Sequence, residues 1–171
     1  MLTTVHLHLL LNHLPIIVPA IGLVLLALAV WKHSDLLARV GLALLATGAL
    51  SALPAYLTGE GAEEAVEQLP GVTKPLIEQH SDIAVVAAIS VGVVGLLAVW
   101  MLWRYRRPAE LPSGLVRVTL AGALIGCGLM AYTGLLGGQI RHTEVRPGYV
   151  PAPEGVPASA RGEAESAGRA R

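Results

Sequence analysis

Four long stretches of this chain show neither the two-residue alternation of a half-buried strand nor the polar stripe of a surface helix. Leu14 to Trp31, Val40 to Thr58, Ile83 to Trp103 and Val118 to Gly137 are runs of Leu, Ala, Val and Gly without a single Asp, Glu, Lys or Arg. About 20 apolar residues at ~1.5 Å rise cross the ~30 Å hydrocarbon core of a bilayer. Barrel strands would be ~10 residues long and alternate in polarity. The pattern therefore predicts an all-α protein, an integral membrane four-helix bundle. Its spans are expected at about 12–31, 38–58, 78–103 and 115–138, within a transmembrane domain of residues 1–146.

Between the second and third stretches the pattern changes. Ala62, Ala65, Val66 and Leu69 recur at helical spacing beside Glu63, Glu64 and Glu67, which predicts a short amphipathic helix in the outer loop, ended by Leu69-Pro70-Gly71. Thr73 and Pro75 then suit the start of the next helix. Residues 147–171 hold four prolines among Gly, Ala, Ser, Glu and Arg, and read as a disordered external tail. Ala27-Leu28-Ala29 loosely imitates a signal-peptide cleavage site. The basic leader that should precede it is missing, so the first stretch is read as a span.

Composition sharpens this picture. Hydrophobic residues make up 54% of the 171 and charged ones 14%, against roughly 25% charged in a soluble domain. Net charge is zero and no basic patch is interleaved with aromatics, so nucleic acid is set aside as a partner and the lipid bilayer takes its place. With one cysteine, Cys127, the chain can form neither an internal disulfide nor a cysteine-held cluster, and Cys127 is expected to be a packing residue.

Basic residues in short connections resist translocation. Lys32, Arg39, Arg104, Arg106, Arg107 and Arg117 all fall on one side of the four spans, as do Trp31, Trp100, Trp103 and Tyr105. The opposite side carries Glu60, Glu63, Glu64, Glu67, Glu78 and Asp82 with Lys74. The first side is expected to be cytoplasmic, which gives a multi-pass protein of a bacterial inner membrane with both termini periplasmic.

Topology then gathers chemistry. His13 precedes the first span, His80 lies at the start of the third and His142 follows the fourth, so all three are expected at the outer edge, beside the acidic loop. They share helix faces with small residues, which favours histidines turned into the bundle. Pro15 and Pro19 either leave carbonyls free near His13 or simply kink the helix. A haem-like centre would use His13 and His80 as ligands, with Asn12 and Asp82 orienting them and Arg141 as a propionate partner. A non-haem metal site would instead use His13, His80 and His142 with Glu60, Glu63 or Glu64. Each histidine also has a plain reading as a hydrogen-bonding interface residue. Gly122, Gly126, Gly134 and Gly138 read most simply as close helix packing.

The segments LNHLPI, ALPAYLTGEGAEEAVEQLPGV, EQHSDIA and TGLLGGQIRHTE, taken as a set from Leu11 to Glu144, resemble a family of bacterial four-helix membrane proteins with no established activity. The family opens with N-H-L-P and closes with G-G-x-I-R-H. The resemblance implies the architecture and singles out Asn12, His13, Glu60, Glu63, Glu64, His80, Arg141 and His142, without implying a chemistry. The His-Leu-Pro-Ile opening is also broadly similar to that of other small bacterial membrane proteins, some suspected to bind haem. The leading expectation is haem b, or a comparable redox centre, serving electron transfer with a redox partner. A divalent metal site and a cofactor-free assembly subunit beside other membrane subunits are the alternatives. Whether the chain is an enzyme stays open, since no nucleophile elbow, phosphate loop or HExxH motif is present.

Overall fold

The computed structural model describes residues 3–151; the expected tail lies outside the described residues from position 152 onward. The described residues form six α-helices. They are α1 (Thr4–Leu11), α2 (Leu14–Lys32), α3 (Asp35–Leu57), α4 (Gly59–Glu67), α5 (Lys74–Arg104) and α6 (Ser113–Arg141), followed by a 3₁₀ turn at Thr143–Val145. Among the described residues there is no strand. Helices α3, α5 and α6 are each long and apolar enough to cross a membrane, and so is α2 taken together with α1.

The four long helices form a ring with principal seams α2–α3, α3–α5, α5–α6 and α6–α2, so that each neighbour runs antiparallel to the next. Close approach rather than side-chain bulk makes these seams. A Cβ built on Gly22 would stand 3.0 Å from the Gly41 carbonyl, and one on Gly41 would stand 3.0 Å from the Gly22 carbonyl. Gly48 accepts the ring of Pro19, and Gly95 accepts Ala49. Lipid is as apolar as the bundle interior, so association rests on van der Waals packing of such backbones and not on hydrophobic burial. Many large apolar side chains point outward accordingly. Leu50 is 71% and Leu96 72% exposed, which water would penalise and acyl chains accept.

The connection between α2 and α3 is tight because His33 takes a left-handed conformation (φ 52°) and Ser34 then caps α3 by accepting from the Leu37 N–H. At the same end Lys32 lies over Trp31, Arg106 over Trp103, and Trp100 meets Tyr105 edge-on. This aromatic and basic belt suits the headgroup level of a bilayer. Asp35 and Arg39 tie the α5–α6 connection down. The Arg39 guanidinium donates to the Asp35 carboxylate (2.6 Å), to the Tyr105 carbonyl (2.8 Å) and to the Ala109 carbonyl (2.6 Å), while Asp35 accepts from the Leu111 N–H (3.1 Å).

Pro19 has a role beyond the two the sequence offered. It is fully buried and its ring fills the groove at Gly48, so its role is packing across the α2–α3 seam. Cys127 is half-buried against a void of about 10 Å³ that Pro19 also lines, roughly the space of one water, as a packing residue would be. Gly122 and Gly126 face Val94 and Val91 of α5 and Gly134 faces Ile16 of α2, whereas Gly138 meets nothing within 4 Å.

Candidate functional site

At the end of the bundle opposite the aromatic belt, two short helices form a partial cap. α1 packs on α4 and on the end of α3. Its start is fixed by Thr3, whose hydroxyl accepts from the His6 N–H while the His6 ring bonds back to the Thr3 side chain at 2.7 Å. Gly61 of α4 lets the helices touch, since a Cβ there would lie 2.9 Å from the Thr4 hydroxyl. This arrangement carries His8 to the last turn of α3.

His8 Nδ1 lies 3.0 Å from the Ala55 carbonyl and 3.3 Å from the Thr58 hydroxyl. The Ala55 carbonyl belongs to the last turn of α3, where carbonyls lack intrahelical partners. A carbonyl can only accept, so in the neutral ring the His8 proton sits on Nδ1 and the lone pair on Nε2. His80 repeats the arrangement on the other side. It is half-buried on α5, and its Nδ1 donates to the Thr133 carbonyl of α6 at 3.1 Å. Its lone pair therefore sits on Nε2 as well. Glu63 of α4 and His8 are near enough to His80 to act on it electrostatically.

The sequence-derived candidates divide on this geometry. His80 on α5 and the half-buried Glu63 on α4 lie within electrostatic reach of each other, and so does His8, a residue that the sequence analysis did not single out. His13 stands at the break between α1 and α2, exposed, with its Nδ1 on the Leu9 carbonyl of its own segment (3.3 Å). His142 closes α6 on the surface and pairs with Glu144 at 2.9 Å. Glu60, Glu64, Asp82 and Arg141 are exposed. The last carbonyls of α6, Gln139 and Ile140, accept from Arg146 and not from Arg141. Asn12, at the same break as His13, holds a buried side-chain oxygen with no hydrogen-bond partner. Among the described residues no three His, Cys, Asp or Glu side chains are gathered as a metal-holding group.

Spacing alone could not single out His8, because only a helix that ends near Leu11 folds it back over the bundle end instead of out into solvent.

Comparison with known families bears on the architecture. The model of the family described as predicted membrane protein (DUF2231) matches residues 4–144. The chain belongs to this family. The match runs from α1 into the 3₁₀ turn, so it covers the capping helices and all four long helices, and the segment after Glu144 lies outside it. No curated protein and no solved structure matches the chain.

Proposed function

We propose that this membrane protein binds a redox centre, haem b in the first instance, at the capped end of the bundle, through the imidazoles of His8 and His80. The observation that supports the reading is the matched state of these rings: on different helices, each has its Nδ1–H held by a backbone carbonyl and its Nε2 lone pair left to ligate. Two neutral imidazoles satisfy a haem iron axially, and a carbonyl on the far nitrogen fixes tautomer and orientation. A non-haem cation would need more protein ligands than this end gathers among the described residues. His80 is the ligand common to this reading and to the sequence-derived pair, and His8 replaces His13 in it. Asn12 and Arg141 keep, in this reading, the orienting and charge-pairing roles that the sequence suggested.

With the basic, aromatic end at the cytoplasmic face, the capped end is periplasmic, and the protein would exchange electrons there with a partner in or on a bacterial inner membrane. The bundle supplies a rigid frame and the bilayer a low dielectric.

The second reading is structural: the Nδ1 bonds of His8 and His80 are themselves ties between helices, as an assembly subunit would need. An absorption spectrum with metal analysis of the detergent-purified protein separates the two. A Soret band with stoichiometric iron, abolished in His80→Ala and His8→Ala and kept in His13→Ala, supports the haem reading. Colourless protein free of iron, zinc and copper, after expression with ample haem, overturns it and leaves the structural one.

A further inference from the structure

The basic end of the bundle holds a cavity of about 210 Å³ between the α2–α3 turn and the start of α6. Val30 and Val116 form an apolar wall, and His33, Glu110, Ser113 and Arg117 contribute polar groups. Glu110 and Arg117 line the same space but form no ion pair with each other, and among the described residues neither has a salt-bridge partner. Asp35, by contrast, also borders the cavity but is fully engaged by Arg39 and the Leu111 N–H. An unpaired cation and an unpaired anion around one cavity fit a ligand that carries both charges. The belt of Trp31, Lys32, Trp103 and Arg106 puts this cavity at headgroup depth.

We propose that the cavity receives the headgroup of a zwitterionic, primary-amine phospholipid of the phosphatidylethanolamine type. Arg117, with the Ser113 hydroxyl, takes the phosphate, and Glu110 takes the ammonium. Val30 and Val116 meet the glycerol and first acyl carbons, where the cavity wall turns apolar. Anionic phosphatidylglycerol would satisfy Arg117 but leave Glu110 facing a second negative group, so selectivity resides in Glu110. The site is separate from the histidines of the opposite end and stands whether or not they bind a cofactor.

The test is native mass spectrometry of the full chain released from nanodiscs of equal phosphatidylethanolamine and phosphatidylglycerol. The wild type should retain phosphatidylethanolamine over phosphatidylglycerol by about tenfold, the ratio that one charge-assisted contact supports. Glu110→Gln should bring the ratio to about one, and Arg117→Gln should reduce retention of both lipids. Both variants lie at an exposed helix start or connection, and unchanged helical circular dichroism verifies their fold. Lys74→Gln, at the other end, should leave the ratio unchanged. Soluble phosphoethanolamine that displaces the retained lipid at equal concentration would reassign the site to a free metabolite and overturn the lipid proposal. So would equal retention of the two lipids by the wild type, or a preference that survives Glu110→Gln.

Discussion

Gly137 of α6 lies against the ring of His80 of α5. A Cβ at position 137 would come within 3.0 Å of His80 Cε1 and 3.4 Å of Nδ1, the nitrogen that holds the Thr133 carbonyl. The absence of a side chain at 137 is thus what gives the imidazole its place. Gly137→Ala should push the ring away from Thr133 and destabilise the bundle by about 1 kcal/mol, the usual worth of one such hydrogen bond. Gly138→Ala, one residue on, meets nothing within 4 Å and should be neutral or slightly stabilising. Thermal unfolding of both variants in one detergent gives the comparison.

The α2–α3 seam makes a sharper prediction. Pro19 packs its ring into the groove that Gly48 leaves, and any Cβ at 48 overlaps the ring's own carbons. The proline is rigid and fully buried, so the backbones must separate. Gly48→Ala should lose about 1–3 kcal/mol, as overpacked cores do. Gly92→Ala enters open space and should not. Equal effects at 48 and 92 would remove the claim that this seam is set by backbone approach.

How far these features were legible in the residues can be judged place by place. The four apolar runs specify the long helices because a span of ~20 uncharged residues has few other fates. The acidic amphipathic segment likewise became α4, which ends at Glu67, ahead of the Leu69-Pro70-Gly71 stop. What the residues did not convey was the break after Leu11. Read as one run, the segment from Thr4 to Lys32 sends His8 away from the bundle; broken at Asn12, it folds His8 onto α3. Hydrophobic pattern carries no sign of such a break, since α1 and α2 are both apolar. Nor could spacing reveal that His13 and His142 stand exposed while His80 is half-buried, because depth along the membrane normal constrains rotation about a helix axis only weakly.

Arg39 should prove irreplaceable by lysine. Its guanidinium reaches three oxygens at once, on Asp35, Tyr105 and Ala109, and the side chain is only 13% exposed. Lysine keeps the charge but offers a point donor in place of a planar fork. Arg39→Lys should therefore release the connection between α5 and α6, with faster amide exchange at Leu111, whose N–H is held by the Asp35 carboxylate that Arg39 positions. Unchanged exchange there would mean that the connection is fixed by other contacts.

The 3₁₀ turn after α6 provides a pH-dependent element outside the spans. Glu144 is held below the ordinary glutamate range first by its own backbone N–H and then by the His142 ring at 2.9 Å. A carboxylate whose pKa is lower when folded contributes order that is fully present above its unfolded value and lost as pH falls through its folded one. The turn at Thr143–Val145 should therefore loosen only in acid, below the ordinary glutamate value, and not across neutral pH. His142→Ala removes the imidazole and leaves the backbone N–H, the largest single cause, so it should move the Glu144 titration only part of the way back. Carboxyl carbon NMR on the detergent-solubilised protein follows both shifts directly. A full return to the ordinary value in His142→Ala would show that the imidazole, rather than the backbone of the turn, holds the carboxylate.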